Sequence, residues 1–427
     1  MAGSGRIVII GAGATGRGQL GQVAFSAGWA VAYIERDQEL VDVLRQSGRF
    51  RVGLAGERVV DLEVSNFQVF HTSDEGGSRA IADADILATA VLPTNLQSTV
   101  PTVAKGLKLR RALSVAKPLN VIACENMERS SSTLKGYLKM GAPDLDWAWL
   151  EQHVGFPDSM VARAVPVPKD NPLYLMAEVT QEWSVDLKGL VEPMPRLEGM
   201  TLSENQAAAL ERKLYIKNTG HFTIGILGFR KGYALMDQAA RDPEVFELVD
   251  QATRESTWAV ATKHGFDRVW IEDYRATFLE AMKSPFLPDE VSRVIREPMR
   301  KLTREERLVG PAMLACELRG DYQALAKMIA FALTLDNQAD AQCRELRARL
   351  ASEGPTKTIA AVCGVPEGHP LSLEVERQLR AIPGSAGIPA GVSPAPRTAP
   401  SPAFGTLSPS EGEREGERRS FRSSRGS

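Results

Sequence analysis

The stretch RIVIIGAGATGRG, Arg6 to Gly18, lies near the start of this 427-residue chain and decides its fold class. Its first part, Ile7 to Ile10, is a short, uncharged, β-branched run, which is typical of a strand buried on both faces of a sheet. Glycines follow directly with the spacing G-x-G-x-x-G, and a sequence typical of a helix continues to Ser26. A glycine pattern between a buried strand and a helix predicts a turn that a pyrophosphate can approach closely.

The three glycines of this pattern have different physical tasks in a nucleotide-binding turn. The first permits the tight turn, the second lets the backbone approach a pyrophosphate, and the third allows close helix packing. The helix N-terminus then faces the negative charge. Glu35 ends the next apolar run, about 20 residues on, where an acid accepts hydrogen bonds from an adenosine ribose and repels a 2'-phosphate. The predicted site comprises Gly11, Ala12, Gly13, Ala14, Thr15, Gly16, Arg17, Gly18 and Glu35.

This pattern predicts NAD as the cofactor, with two alternatives left open. Arg36 follows the acid and keeps NADP as an option, although an exposed arginine there is more often solvated. A plain glycine turn without a ligand is the structural alternative.

The rest of the chain predicts an α/β fold with a doubly wound parallel sheet and a helical second half. Further apolar runs alternate with stretches that can be helical, and they lie at Ala30–Ile34, Phe67–Phe70, Ile86–Val91 and Leu119–Cys124. Residues 173–190 alternate in polarity, which favours an antiparallel pair or a β-rich connection. We predict an NAD-binding Rossmann-type domain with a β-rich extension over residues 1–200, an α-helical substrate domain over 201–382, and a disordered Pro/Gly/Ser/Arg-rich tail over 383–427.

Composition excludes several classes of partner. Lys and Arg number 51 against 53 Asp and Glu, a net charge of -2, so charge gives no support to a nucleic-acid or membrane-surface role. The four cysteines show no metal-ligand spacing and are expected to be reduced core thiols. The N-terminus does not resemble a signal peptide, and no apolar run is long enough for a transmembrane helix. We expect a cytoplasmic, metal-independent protein that binds a small molecule.

The stretch KLYIKNTGH, Lys213 to His221, places an amine, a carboxamide and an imidazole within nine residues. On an α-helix, at about 100° per residue, Lys213, Asn218 and His221 project from one side. A lysine with a pKa lowered by burial can act as a general base, and an amide can donate to a developing oxyanion. Gly220 is expected to mark a close approach of substrate or cofactor. The alternative is an amphipathic helix with both lysines in solvent and the imidazole in a core.

The pattern K-x(4)-N-x(2)-H resembles the catalytic signature of the mannitol dehydrogenase family, the polyol-specific long-chain dehydrogenases. The NTGH form is similar to the branch of that family that acts on mannitol 1-phosphate. Four other stretches agree with this branch: GAGATGRG, PLNVIACENMERSSSTLKG, EQHVGFPDS and VSRVIREPMRKL. The resemblance extends from Arg6 to Ile382.

The resemblance implies a reaction and the roles of four residues. It implies Lys213 as general acid/base, Asn126 and Asn218 as the pair that holds the oxyanion, and His221 as a substrate contact. It also implies a metal-independent, NAD-dependent interconversion of D-mannitol 1-phosphate and D-fructose 6-phosphate in the cleft between two domains, by a monomeric enzyme. One departure is Ala162, which stands where the family often shows the acid of a V-D-R-I stretch.

A phosphate ester requires arginine or lysine with bidentate geometry, and Arg293, Arg296 and Arg300 offer it. A solvated helix face paired with Glu290 and Glu297 is the alternative for these arginines. Two other functions stay open: the same chemistry on a non-phosphorylated polyol or a hexuronate, and an NAD-binding regulator with impaired catalysis.

Overall fold

The structure is a computed structural model that describes residues 5–166, 171–287 and 289–382. The predicted disordered tail therefore lies outside the described residues. The strands are β1 (Arg6–Ile10), β2 (Ala30–Glu35), β3 (Arg49–Ala55), β4 (Val59–Ser65), β5 (Gln68–His71), β6 (Ile86–Thr89), β7 (Leu119–Ala123), β8 (Val154–Gly155), β9 (Ser159–Ala162), β10 (Tyr174–Glu178), β11 (Glu182–Asp186) and β12 (Thr201–Ser203).

Helices account for most of the remaining described chain. The α-helices are α1 (Gln22–Ser26), α2 (Gln38–Ser47), α3 (Glu75–Ala82), α4 (Val100–Ala112), α5 (Ser130–Gly141), α6 (Trp147–His153), α7 (Gln206–Arg212), α8 (Thr219–Lys231), α9 (Met236–Arg241), α10 (Pro243–His264), α11 (Arg268–Ala281), α12 (Val291–Val294), α13 (Pro298–Lys301), α14 (Val309–Glu317), α15 (Gln323–Leu333), α16 (Ala341–Cys363) and α17 (Pro370–Ala381). Two π-helical segments span Gly16–Gly21 and Lys213–Asn218, and two 3-10 segments span Pro93–Thr99 and Leu187–Gly189.

A six-stranded sheet in the order β5-β2-β1-β6-β7-β8 forms the centre of the N-terminal half, and every neighbouring pair is parallel. The chain leaves β1 toward β2 and β5 on one side and later adds β6, β7 and β8 on the other. The strand order therefore reverses between β1 and β6, which is where ligands of open α/β sheets bind. The predicted doubly wound parallel sheet is confirmed.

Two three-stranded sheets form the β-rich extension, in the orders β10-β3-β4 and β12-β11-β9. The alternation over residues 173–190 corresponds to strands β10 and β11, which agrees with the predicted β-rich connection. The other alternative, an antiparallel pair, is not formed between these two strands, because they belong to different sheets. Strand β10 runs parallel to β3, while β11 runs antiparallel to β9. The antiparallel β3–β4 hairpin was not expected from the sequence.

The helical half is built around α8, which follows the second π-helical segment directly. Phe222 and Ile226 of α8 are fully buried in one large core with Val249 of α10 and Ile329 of α15. At about 25 cal/mol per Å² of buried apolar surface, such side chains each contribute roughly 1.5–3 kcal/mol. The packing fixes the helix that follows the KLYIKN segment. None of the helices within the described ranges is long and apolar enough to cross a membrane.

The four cysteines are free thiols, as expected from their spacing. Cys124, Cys343 and Cys363 are buried and Cys316 is half-buried. Across the described residues, no group of three or more His, Cys, Asp or Glu side chains is arranged to hold a metal ion.

Candidate active site

The glycine turn lies at the reversal point of the central sheet. Gly11 follows β1 with φ +100, and a Cβ there would lie 2.5 Å from the carbonyl oxygen of Ala90, just past β6. A Cβ at Gly13, by contrast, would meet no atom within 4 Å. Gly13, Ala14 and Thr15 are the partly exposed residues of the turn. The turn therefore leaves open backbone at a helix start, which fits a pyrophosphate.

Glu35 ends β2 beside this turn. Its Oε2 accepts a hydrogen bond from the backbone N–H of Ala12 at 2.7 Å, and its Oε1 accepts one from that of Arg36, also at 2.7 Å. The carboxylate is thus fixed at the edge of the glycine turn, where an adenosine ribose would lie. Arg36 is exposed.

Two residues of the predicted cofactor set, Arg17 and Gly18, pack against the protein interior and do not face the open side of the turn. The Arg17 side chain is buried, its Nε donates to the carbonyl oxygen of Ala12 at 2.6 Å, and its guanidinium stacks over Phe50 at 5.4 Å. Burial lowers the Arg17 pKa to about 10. A Cβ at Gly18 would lie 2.6 Å from the side chain of Val165. Arg17 and Gly18 therefore hold the turn against the rest of the domain.

Lys213 lies in the π-helical segment between α7 and α8, and it reaches across to the N-terminal half. Its Nζ donates to Oδ1 of Asn126 at 2.9 Å, in the loop after β7. This contact leaves the NH2 group of Asn126 free to donate to a ligand. The same loop is anchored by Glu125, which accepts from Thr89 Oγ1 at 2.8 Å and from the Val91 N–H at 3.0 Å.

The π-helical geometry differs from the α-helix expected for this motif. An α-helix would place Asn218 roughly 140° round from Lys213. In a π-helix the hydrogen bonds run from i to i+5, so each residue turns through a smaller angle about the axis than in an α-helix. The segment Lys213–Asn218 is six residues long. The amine of Lys213 and the carboxamide of Asn218 therefore project in more similar directions than they would on an α-helix. Local π-helical turns occur frequently at functional sites.

Burial lowers the pKa of Lys213 to about 8. Glu182 opposes this shift because a nearby carboxylate favours the charged amine, whereas Lys217 and Arg307 add to it. A lysine with a pKa near 8 is partly neutral at physiological pH, so it can accept a proton in one direction and donate it in the other.

Lys213, Asn218, His221 and Asn126 line one cleft of about 340 Å³ together with Thr15 of the glycine turn. Within the described residues the Asn218 side chain has no hydrogen-bond partner, so its amide is available to a ligand. Lys217 also lines the cleft and pairs with Glu182. The geometry contradicts the amphipathic alternative, in which both lysines faced solvent and the imidazole lay in a core.

The expected role of Gly220 is wrong. A Cβ at this position would lie 2.7 Å from the ring of Phe278 in α11 and 3.2 Å from Thr253 in α10. Gly220 therefore allows close packing between helices and is not itself among the residues that line the cleft.

His221 has a partner that the sequence motif did not reveal. Its Nε2 lies 3.0 Å from Oδ2 of Asp289, and Asp289 also accepts from Nε of Arg293 at 2.6 Å. These two contacts hold the pKa of Asp289 well below its usual range, against the effect of its burial. With Asp289 accepting from Nε2–H, the other imidazole nitrogen is left as an acceptor for a substrate hydroxyl.

A second, larger cleft of about 940 Å³ continues from Asn126 and His221 to Arg293 and Arg296. Arg296 makes no ion pair or hydrogen bond with any other part of the chain that the structure describes. Arg300 lines neither cleft, and its Nε donates to Glu297 at 2.9 Å. The arginines do not share one helix, because α12 ends at Val294 and α13 begins at Pro298. The structure thus brings Arg293 and Arg296 to the site, but not Arg300.

Comparisons with known proteins agree with this architecture. The family profile described as the mannitol dehydrogenase Rossmann domain matches residues 5–199, and that of the mannitol dehydrogenase C-terminal domain matches residues 207–382. The chain therefore belongs to the mannitol dehydrogenase family, and it is a dehydrogenase by membership.

Among individual proteins, the chain is similar to mannitol-1-phosphate 5-dehydrogenase of Brevibacillus brevis. The two are 36% identical over 377 residues, which cover 88% of this chain and 97% of that protein. Two solved structures share the fold at 16% identity. Mannitol 2-dehydrogenase of Pseudomonas fluorescens has a TM-score of 0.69, covering 88% of this chain and 92% of its own, and a D-sorbitol dehydrogenase has 0.74, covering 91% and 96%.

Proposed function

We propose that this protein is an NAD-dependent dehydrogenase that interconverts D-mannitol 1-phosphate and D-fructose 6-phosphate. The observation that supports it most is the contact between Lys213 and Asn126, made in a cleft that Thr15 of the glycine turn also lines. The amine, two amides and the open glycine turn are thus within one cavity, where a hydroxyl, its proton and a dinucleotide can meet.

In the oxidative direction, the neutral amine of Lys213 takes the proton from the substrate hydroxyl. The amides of Asn126 and Asn218 donate hydrogen bonds to the oxygen as negative charge develops on it, which lowers the barrier. His221, held by Asp289, accepts a hydrogen bond from a neighbouring hydroxyl. When bound, NAD supplies the hydride acceptor. In the reductive direction the protonated Lys213 donates.

The preference for NAD rests on Glu35. Its carboxylate is fixed between the backbone N–H groups of Ala12 and Arg36, at the ribose end of the turn. A 2'-phosphate would bring two further negative charges against it. The residues present therefore fit NAD better than NADP.

The phosphate of the substrate is assigned to Arg296, assisted by Arg293. Arg296 faces the larger cleft without a protein partner in the described chain, and guanidinium groups bind phosphate in a bidentate manner. Arg293 is already paired with Asp289, the residue that holds His221, so it positions Asp289 and adds positive charge near the phosphate. The similarity to mannitol-1-phosphate 5-dehydrogenase supports a phosphorylated substrate.

The test is NADH oxidation, followed by absorbance, with D-fructose 6-phosphate and free D-fructose side by side, and then with NADPH in place of NADH. The proposal predicts rapid turnover of the phosphate ester with NADH and weak turnover in the other three combinations. Preference for free fructose would favour the non-phosphorylated polyol as substrate. NADH binding without turnover of either sugar would favour the regulatory alternative.

A further inference from the structure

Ala162 and Glu182 lie directly opposite each other in neighbouring strands. They are register partners in the antiparallel pair formed by β9 and β11. Directly opposed residues project from the same face of a sheet, with Cβ atoms about 4.5–5.5 Å apart. A carboxylate on residue 182 therefore occupies the space next to the small side chain of Ala162, so that an acid introduced at position 162 would lie beside it.

We propose that Glu182 is the positioning residue for Lys213. The catalytic role of this positioning rests on the proposed function. The effect of Glu182 on the placement and charge of Lys213 is argued separately, from the contacts of the Glu182 carboxylate.

The Glu182 carboxylate holds the π-helical segment on both sides of Lys213. Its Oε1 pairs with Lys217 Nζ at 2.7 Å, and its Oε2 pairs with Arg212 Nη2 at 2.6 Å. Tyr274 of α11 donates to Oε1 at 2.7 Å. The Glu182 side chain is 18% exposed, so these contacts are poorly screened by solvent. The residue before Lys213 and the residue four positions after it are thus tied to one carboxylate.

The same carboxylate sets the charge around the amine. Glu182 favours the ammonium form of Lys213, while Lys217 on the same segment and Arg307 from the loop before α14 disfavour it. The other titratable or charged groups that line the cleft are Glu125, Arg163, Glu178, His221, Asp289 and Arg293. Without Glu182, Arg212 and Lys217 would be left as two uncompensated cations near the amine. A second acid at position 162 would in turn repel Glu182, since like charges in direct opposition are destabilising.

The experiment measures the titration of Lys213 itself. The full-length protein is treated with an amine-reactive ester over a series of pH values, and the rate of Lys213 modification is read by mass spectrometry of its peptide. Glu182→Gln is expected to move the midpoint of this titration down by about one pH unit, because one opposite charge is removed. The double variant Ala162→Asp/Glu182→Gln is expected to return the midpoint toward that of the unaltered protein.

Glu211→Gln is the matched control. Glu211 lies two residues before Lys213 and also contacts two basic side chains, Lys263 at 2.6 Å and His264 at 2.8 Å. It is expected to leave the midpoint in place. Lys217→Gln is a second variant that does not depend on losing the carboxylate, and it is expected to move the midpoint up because a neighbouring cation is removed.

A midpoint in Glu182→Gln that coincides with that of Glu211→Gln, in folded protein, would overturn the proposal. So would a double variant that stays at the Glu182→Gln midpoint. If Glu182→Gln does not fold, an unmoved midpoint in Lys217→Gln would overturn it. Because the modification rate needs neither substrate nor cofactor, these outcomes are independent of whether fructose 6-phosphate proves to be the substrate.

Discussion

The pH dependence of turnover should follow the titration of Lys213, with opposite directions for oxidation and reduction. With the pKa lowered to about 8, the neutral fraction is about one-tenth at pH 7 and about nine-tenths at pH 9. kcat/KM for mannitol 1-phosphate oxidation should therefore rise about tenfold over this interval and then level off. kcat/KM for fructose 6-phosphate reduction should fall about tenfold over the same interval. A lysine at its ordinary pKa near 10.4 would instead give a rise of roughly a hundredfold with no plateau by pH 9.

The assay measures initial rates in both directions at constant ionic strength, with the cofactor saturating at each pH. Wild-type protein and the Lys231→Ala variant are compared, because Lys231 pairs with Asp242 and Glu244 outside the cleft and should leave the profile unchanged. An oxidation profile that keeps rising steeply beyond pH 9, or a reduction profile that does not fall, would refute the assignment of a neutral lysine as the base.

Three further predictions concern the phosphate, the cofactor and the glycine turn. Arg296→Ala should raise the KM for fructose 6-phosphate by roughly 10- to 100-fold, the value of losing charge-assisted hydrogen bonds, and leave turnover of free fructose unchanged in steady-state assays. Glu35→Ala should reduce the preference for NADH over NADPH by about tenfold or more, as measured by the ratio of the two kcat/KM values. Gly11→Ala should lower the free energy of unfolding by about 2 kcal/mol or more in denaturant titrations, because the φ of Gly11 is +100 and the added Cβ meets the Ala90 carbonyl. Gly13→Ala should leave the free energy of unfolding nearly unchanged and weaken NADH binding, because its added Cβ meets no protein atom.

The central sheet was predictable because its strands are buried on both faces. Such strands appear as short apolar runs, and the glycine spacing after β1 marks the reversal point without any knowledge of strand order. The sequence could not show that β10 pairs with β3 rather than with β11, because pairing between strands distant in the chain leaves no local periodicity. The position of Glu182 opposite Ala162 depends on that kind of pairing and was missed for the same reason.

The residue types of the site were predictable from the family motif, but their arrangement was not. A π-helical turn has the composition of an α-helix and is set by contacts around it, so Lys213–Asn218 was assigned the wrong periodicity. Asp289 lies 68 residues from His221 in the sequence and belongs to no motif near it. The break between α12 and α13 did have a signal, since Pro298 disfavours helical geometry in Glu297, which has φ 54.

The proposed mechanism requires Lys213 to transfer the proton within the cleft that Thr15 of the glycine turn also lines. The most direct test is the Lys213→Ala variant, assayed for turnover of fructose 6-phosphate and, separately, for NADH binding by fluorescence. The account predicts a loss of kcat of about 100- to 10,000-fold, the usual contribution of a positioned acid or base, with the NADH dissociation constant nearly unchanged. A variant that keeps most of its turnover would contradict the account.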